Sequence, residues 1–259
     1  MYHAEERRSY DIRKIGVGTS INKTIFGRSS ASLQYELSRE EVFNVLEGAI
    51  LSRQDQGSAR ISAIRGLFII DLRDDSFNPK RGSLYSGSAE LASSLIGSEV
   101  NYLKLVGQGS YYFPVLRRNT FAVNGRAGWA NPFAETPEVP IQKRFFLGGR
   151  TTVRGFKEDE VGPVGPDGAP TGGEYMVNGN AELRIPLKYG FSLALFLDAG
   201  SVWFQAGLPG TGFDLRESAG VGLRYRTPIG PISLEYGWKL DRREGESPGE
   251  VHFNIGAIF

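Results

Sequence analysis

The alternation of apolar and polar residues along the last segment limits the fold more than any other feature of the chain. Its apolar positions are Val251, Phe253, Ile255, Ala257 and Phe259. The residues between them include His252, Asn254 and Gly256. Because successive side chains of a strand point to opposite faces, this pattern predicts a strand with one apolar and one polar face.

Similar segments recur along the whole chain and are separated by clusters of turn residues. We predict about twelve strands, at 11–21, 28–37, 42–52, 59–72, 82–96, 101–114, 118–130, 175–187, 191–203, 217–227, 231–240 and 250–259. The third of these is the weakest, since residues 39–52 fit a short helix equally well. This regular spacing is typical of an all-β meander.

Three features favour a transmembrane antiparallel up-and-down β-barrel. A strand of about ten residues crosses a bilayer when it is tilted. The polar faces carry charged residues and glycine strand after strand, as the lumen of a barrel does. Aromatic residues collect near the predicted strand ends, at Tyr111, Tyr112, Phe113, Trp129, Trp203, Phe204 and Phe259. Composition alone does not exclude a soluble β-sandwich, because its strands also alternate between apolar and polar residues.

The bulk composition further limits the class of protein to which the chain can belong. The mean hydropathy of −0.25 suits a barrel, in which half of each strand faces a polar interior. A net charge of +1 gives no general attraction to nucleic acid. The absence of cysteine excludes disulfides and cysteine-ligated metals. Residues 1–8 are charged and lack the apolar core of a secretory signal, so a barrel requires a signal that has been removed.

The connections between predicted strands are of two kinds. Short turns lie at 117–118, 188–190 and 227–231, whereas residues 131–174 form a long connection. In outer-membrane barrels the short turns face the periplasm and the long loops face outward. We therefore predict one barrel domain over residues 1–259, with 131–174 as an extracellular loop.

Six segments, in the same order, resemble those of one known family. They are 71–82, 144–156, 180–186, 196–203, 222–231 and 253–259. The second contains a Val-Arg-Gly-Phe motif, formed by Val153, Arg154, Gly155 and Phe156. The chain resembles the BamA-type superfamily of outer-membrane assembly barrels, which includes TamA-like and two-partner secretion relatives. The similarity extends from about Asp71 to Phe259.

The resemblance implies that the long loop folds back into the lumen and that its arginine meets carboxylates there. Strand parity independently directs Glu182 and Asp198 into the lumen from neighbouring strands. Since two confined carboxylates repel each other, a cation between them is favoured, and the planar guanidinium group suits that role. We expect Arg154 to pair with Glu182 and Asp198 and so to anchor the 131–174 loop. A mobile surface loop is the alternative.

The resemblance also implies a C-terminal signal for the assembly machinery, carried here by Phe253, Ile255 and Phe259. Two departures from the family stand out. Its barrels generally have sixteen strands, and its members carry periplasmic POTRA domains, so this chain is expected to be a reduced member or a fragment. Closure of a twelve-stranded barrel would pair the segment 11–21 with 251–259, because an open edge in lipid leaves backbone groups unsatisfied.

The implied function is assistance in the insertion, assembly or translocation of outer-membrane proteins, with no catalysis. Gly16, Gly18 and Gly256 would weaken a seam between the first and last strands, which an incoming strand could use. The expected partners are outer-membrane lipids, unfolded outer-membrane clients, and periplasmic accessory proteins or a second copy. No metal or cofactor is expected, and the acidic segment around Asp71 and Asp75 is interpreted as a solvated turn.

Two other functions are compatible with the sequence. A passive outer-membrane pore would take its ion selectivity from charges in the lumen. Those charges are Lys104, Arg126, Arg184, Arg224, Arg226, Glu235 and Lys239. A reduced, structural barrel without insertase activity is the other. A soluble β-sandwich, in place of a barrel, would have an enzyme or binding activity.

Overall fold

A computed structural model describes residues 2–6, 10–45, 57–116, 118–166, 168–204, 212–227 and 230–256. Twelve strands make up most of these residues. They are β1 (Tyr2–Glu6), β2 (Asp11–Phe26), β3 (Ser29–Phe43), β4 (Gly57–Asp71), β5 (Gly82–Ala92), β6 (Tyr102–Val115), β7 (Asn119–Pro132), β8 (Tyr175–Pro186), β9 (Phe191–Trp203), β10 (Arg216–Thr227), β11 (Gly230–Lys239) and β12 (Gly249–Ile255). Short 3₁₀ turns lie at Ser94–Ile96 and Ile141–Lys143.

The strands form a single sheet in chain order from β1 to β12, and each pairs antiparallel with its neighbours in sequence. This is the predicted up-and-down topology, and the fold class is confirmed. Among the described residues, no helix is long and apolar enough to cross a membrane.

One predicted strand boundary is wrong, and one strand was missed. The prediction ended a strand at 37 and began another at 42, but β3 continues without a break to Phe43, which pairs with Asp11. Residues 46–52 lie outside the described part of the chain. The polar residues Ser38 and Glu40 did not end the strand, because both point into a polar interior and are buried there. The missed strand is β1.

The expected pairing of 11–21 with 251–259 is also wrong for the residues that the structure describes. The edge of β2 from Asp11 to Ile15 is already occupied by β1, and β12 pairs with β11. The sheet is therefore open between its two outer strands in the described range, and residues 257–259 lie outside that range.

The distribution of polar and apolar residues is inverted relative to a soluble β protein. Large apolar side chains on the outer face of the sheet are exposed, among them Leu195, Leu197, Leu223, Leu234, Trp238 and Phe253. The buried inner positions of the same strands hold Glu182, Asp198, Arg224, Ser233, Glu235 and His252. A continuous exposed apolar surface over a polar interior fits lipid outside and a lumen inside, and it disfavours the soluble sandwich.

The sheet curls around the 131–174 loop. Lys143 of this loop reaches Glu40 of β3 at 3.0 Å, whereas Gly155 donates a hydrogen bond to His252 of β12 at 2.9 Å. Because one loop contacts strands near both ends of the sheet, the sheet must wrap around it. The apolar core therefore lies between loop and sheet, and it contains Val139, Phe145, Leu147, Val153, Phe156, Val161, Met176 and Val202.

The outward face can be tested with two exposed leucines. Leu195 is 43% exposed on the outer face of β9, and Leu95 is 94% exposed in the β5–β6 connection. We expect Leu195→Arg to lower the free energy of unfolding in phospholipid vesicles by about 2–4 kcal/mol, because it places a charge in the hydrocarbon. Urea titration followed by tryptophan fluorescence measures this. Leu95→Arg is the control, and equal effects of the two changes would contradict a lipid-facing β9.

Candidate functional site

The Val-Arg-Gly-Phe motif lies in a compact turn inside the curl of the sheet. The N–H of Gly149 donates to the carbonyl of Phe156 at 3.0 Å, and Thr152 bonds through its hydroxyl to the backbone of Gly148. Val153 and Phe156 are fully buried in the core between loop and sheet. The two apolar residues thus fix the turn against the sheet, and Arg154 between them points into the polar interior.

Arg154 meets carboxylates from three strands. Its Nε and Nη2 atoms donate to the two oxygens of Asp198 at 2.7 and 2.8 Å, a bidentate arrangement. Its Nη1 atom donates to Glu182 at 2.7 Å and to Glu235 at 3.0 Å. Its backbone N–H donates to Asp198 as well, at 3.0 Å. The structure therefore places Arg154 against both predicted partners and adds Glu235 of β11.

Two further arginines complete the cluster. Arg224 of β10 donates to Glu182 at 2.6 Å and to Glu235 at 2.7 Å. Arg184 donates to Glu182 at 2.7 Å. With Arg154, they set three guanidinium groups against the three carboxylates, so the cluster can be buried without a net charge. We call these six side chains the anchor cluster. Such matching is what makes buried charges tolerable, because each is paired and hydrogen-bonded.

The environment keeps Arg154 charged. Its guanidinium group is 1% exposed and stacks over the Phe196 ring, with 3.6 Å from Cζ to the ring centroid. Burial alone would lower the pKa of Arg154, but the hydrogen bonds and charge of Asp198, with the charges of Glu182 and Glu235, raise it above its ordinary value. The group therefore acts as a fixed positive charge.

Strand parity explains how distant residues converge on one point. Glu182, Asp198, Arg224 and Glu235 are all inner-face residues of consecutive strands β8 to β11. Glycine provides the space, since a Cβ atom added to Gly222, the register partner of Glu235, would lie 2.6 Å from Glu235 Cγ. A larger side chain there would displace the carboxylate from Arg154.

The loop also packs backbone against backbone on β11. Gly155 adopts a positive φ of 92°, and a Cβ atom built there would lie 2.9 Å from the carbonyl carbon of Gly237. A Cβ atom on Gly237 would in turn lie 2.6 Å from the Gly155 nitrogen. The hydrogen bond from the Gly155 N–H to His252 Nε2 then ties the motif to β12.

Two asparagines of β8 hold the carbonyl group that precedes the motif. Asn178 and Asn180 donate to the Thr152 carbonyl at 3.1 and 2.6 Å, and Asn180 also donates to Asp198 at 2.8 Å. The motif is therefore held on both sides of Arg154.

Sequence reasoning missed several members of this site. The sequence suggests Glu235 and Arg224 only as charges of a pore lining, and it gives His252 no role. All three lie on the polar faces of strands with alternating patterns, so the alternation predicts that their side chains point inward. It does not predict which of these side chains lie at the same depth in the lumen, because that depends on the register between strands. Phe253 and Ile255 lie exposed on the outer face of β12, and their signal role stays a prediction. Phe259 lies outside the described residues.

The acidic segment after β4 forms a structured turn. Asp74 accepts backbone hydrogen bonds from Lys80 and Asp75, at 2.9 and 3.0 Å. Asp71 accepts from the Arg73 side chain at 2.9 Å. Within the described residues, no group of three or more histidine, cysteine, aspartate or glutamate side chains is arranged to hold a metal.

Comparison with known proteins identifies the family. Residues 2–259 match the Omp85 superfamily domain. The chain belongs to the Omp85 superfamily. The resemblance to BamA-type barrels inferred from the six segments is thereby confirmed.

The relatives include bacterial and mammalian proteins. The chain is 26% identical over 239 residues to the outer membrane protein assembly factor BamA of Nitratidesulfovibrio vulgaris, covering 89% of this chain and 30% of that protein. It is 28% identical to BamA of Neisseria meningitidis, with 72% and 27% covered. It is 30% identical to the mouse sorting and assembly machinery component 50 homolog, with 58% and 33% covered. The chain thus spans about a third of the length of these relatives.

Two solved structures share the fold. BamA from Haemophilus ducreyi lacking POTRA domains 1–3 superposes with a TM-score of 0.83 at 21% identity, covering 99% of this chain and 57% of that one. CdiB from Acinetobacter baumannii gives a TM-score of 0.56 at 14% identity, with 93% and 41% covered. At these identities, the likeness concerns the architecture of the barrel.

The anchor cluster of this Omp85 barrel can be tested by removing its central cation. Arg154→Ala leaves the buried carboxylate of Asp198 without its guanidinium partner and gives the cluster an excess negative charge, and we expect a loss of about 3–5 kcal/mol in the free energy of unfolding. Arg154→Lys should recover only part of it, because an ammonium group cannot bind bidentately. Urea unfolding in vesicles measures both. Arg150→Ala, an exposed arginine of the same loop, is the control, and an equal effect there would contradict the anchor.

The glycine contact gives a separate test of the loop position. Gly237→Ala should push Gly155 away from β11 and cost about 1–3 kcal/mol, the usual range for overpacking. Limited proteolysis should then cut within 131–174 faster than in the unchanged chain. Gly125→Ala on β7 is the matched control, because a Cβ atom there meets nothing within 4 Å. Unchanged cleavage in the Gly237 variant would show that the loop does not rest on β11.

Proposed function

We propose that this chain is the barrel of an outer-membrane protein assembly factor, which assists the insertion, assembly or translocation of other outer-membrane proteins. Membership of the Omp85 superfamily and the names of the BamA and assembly-machinery relatives support this function. They equally support an outer-membrane location. The long loops would then face outward and the short turns would face the periplasm.

One structural observation carries the proposal: the loop is anchored inside a sheet that, among the described residues, keeps part of an edge of β2 without a strand partner. The anchor cluster and the His252 contact hold the loop to β8, β9, β11 and β12. On β2, β1 pairs with Asp11–Ile15, and within the described residues Val17–Phe26 has no strand partner on that side. Unpaired N–H and C=O groups of such an edge accept an added strand.

The composition of this edge suits temporary pairing. Gly18 lies near its start and packs closely on β3, since a Cβ atom there would lie 3.0 Å from the carbonyl oxygen of Tyr35. Glycine weakens a strand, because it loses more freedom on ordering and offers no side chain to pack. A client strand added here would be held mainly by backbone hydrogen bonds, and it could be released again.

The activity requires no covalent chemistry. We therefore propose that the barrel is not an enzyme, and that it acts by positioning a client strand and the surrounding lipid. Its proposed partners are outer-membrane lipids and unfolded client barrels, together with periplasmic accessory proteins or a second copy of this chain. An edge in hydrocarbon leaves backbone groups unsatisfied at several kcal/mol each, so a client strand would be strongly favoured there.

The test measures the folding rate of an unfolded client barrel into liposomes that contain this chain. We expect the chain to accelerate client folding, and Arg154→Ala to remove most of the acceleration, because the loop no longer holds β8–β12 in place. Arg150→Ala should retain the full rate. Folding of each variant is checked beforehand by circular dichroism and heat-dependent gel mobility. No acceleration by the correctly folded chain would contradict the proposal.

A passive pore remains the second candidate, because the lumen is not completely filled. A cavity of about 540 Å³ lies beside the loop, and Lys104 and Arg126 line it together with Glu158 and Asp159 of the loop. Another charge predicted for a pore lining is engaged with the loop instead, since Lys239 pairs with Glu160 at 3.0 Å. A large steady conductance in planar bilayers, unchanged by Arg154→Ala and without client folding, would favour the pore.

A further inference from the structure

The connection between β4 and β5, residues 72–81, crosses the turn end of the lumen. A Cβ atom added to Gly230 would lie 3.7 Å from the Phe77 ring and 3.4 Å from Gly256. Phe77 therefore lies near the far end of the sheet. The connection holds its own shape, because Asp75 accepts the N–H groups of Phe77 and Asn78, both at 2.8 Å.

Above this connection is a cavity of about 410 Å³, bounded by the ends of β7 to β11. Its charged lining is predominantly basic, with Lys80, Arg118, Arg184, Arg224 and Arg226. Asp75 is the one carboxylate among the described lining residues. We call this space the basic vestibule. It is separate from the 540 Å³ cavity beside the loop, with which it shares no lining residue.

The positive charge of the vestibule is only partly neutralised. Arg184 and Arg224, at its inner end, are matched by the carboxylates of the anchor cluster. The side chains of Lys80 and Arg118 form no ion pair or hydrogen bond with any residue that the structure describes. One oxygen of Asp75 accepts two backbone N–H groups, and these hydrogen bonds, with the nearby charge of Arg226, lower the pKa of Asp75. An excess of positive charge therefore faces the cavity.

We propose that the basic vestibule binds a phosphate-type anion, either inorganic phosphate or the headgroup of an anionic phospholipid. Guanidinium groups match phosphate oxygens bidentately, and the lysine adds a point charge. The volume lies in the range of small-ligand sites. This site is independent of the proposed assembly function, because it involves neither the unpaired edge of β2 nor a client strand.

Its place next to the anchor cluster gives the site a structural consequence. Arg184 and Arg224 line the vestibule and also bind Glu182, which contacts Arg154. An anion at the inner end would share these guanidinium groups with Glu182. Binding of the anion would thus weaken or redirect the hydrogen bonds that Arg184 and Arg224 donate to Glu182.

The first arm of the test uses the folded chain in a zwitterionic detergent, titrated with sodium phosphate at constant ionic strength by calorimetry. We expect saturable binding. The double variant Arg118→Gln/Arg226→Gln should bind about tenfold more weakly for each charge-assisted hydrogen bond that the substitutions remove. Arg60→Gln/Arg242→Gln removes two exposed cations away from the vestibule and should leave the affinity unchanged. Both pairs lie at exposed positions, and circular dichroism verifies folding.

The second arm compares unfolding temperatures in phosphatidylcholine vesicles with and without phosphatidylglycerol. Stabilisation by phosphatidylglycerol that disappears only in the Arg118/Arg226 variant identifies a lipid headgroup as the source, whereas binding in the first arm alone identifies free phosphate. Equal binding by both double variants in both arms would overturn the proposal. So would the absence of binding in both arms.

Discussion

The burial of one guanidinium group is the constraint on which the rest of this structure depends. Arg154 is removed from water inside the barrel, and such a charge is tolerated only when oppositely charged partners surround it. Those partners come from β8, β9 and β11. The loop can therefore occupy its position only when these strands are in the observed register, and the same contact fixes the loop and the sheet together.

The inverted placement of polar and apolar residues makes this contact possible. Because lipid receives the apolar face of each strand, the inner face is free to carry charges that a soluble core would exclude. Glycine then sets how closely the parts approach. Gly237 lets the backbone of Gly155 touch β11, and Gly222 leaves room for the Glu235 side chain. The opposite charges attract the loop to the sheet, and the glycines, which have no Cβ atom, allow the close approach.

Much of this arrangement could be predicted from the sequence, for a physical reason. Strand alternation is local, so the inward direction of Glu182 and Asp198 followed from their own neighbours. The participation of Glu235 and His252 did not, because it depends on the depth at which distant strands meet, which turn lengths and register decide. The end of β3 was misplaced because residues 39–52 fit a short helix equally well, whereas the polar lumen accepts Ser38 and Glu40 within a strand.

The contacts of the loop are unequal along the sheet, and this inequality bears on how such a barrel can work. Toward β8–β12 the loop has a matched cluster of buried charges, in which breaking one partner costs about 3–5 kcal/mol. Toward the first strands, Lys143 pairs with Glu40, and Ile141 of the loop packs with Tyr10, Ile12 and Val42 in a small apolar cluster. Under the proposed function, the end of the sheet held by the anchor cluster is the fixed support, and the edge of β2 from Val17 to Phe26 is where a client strand would be exchanged.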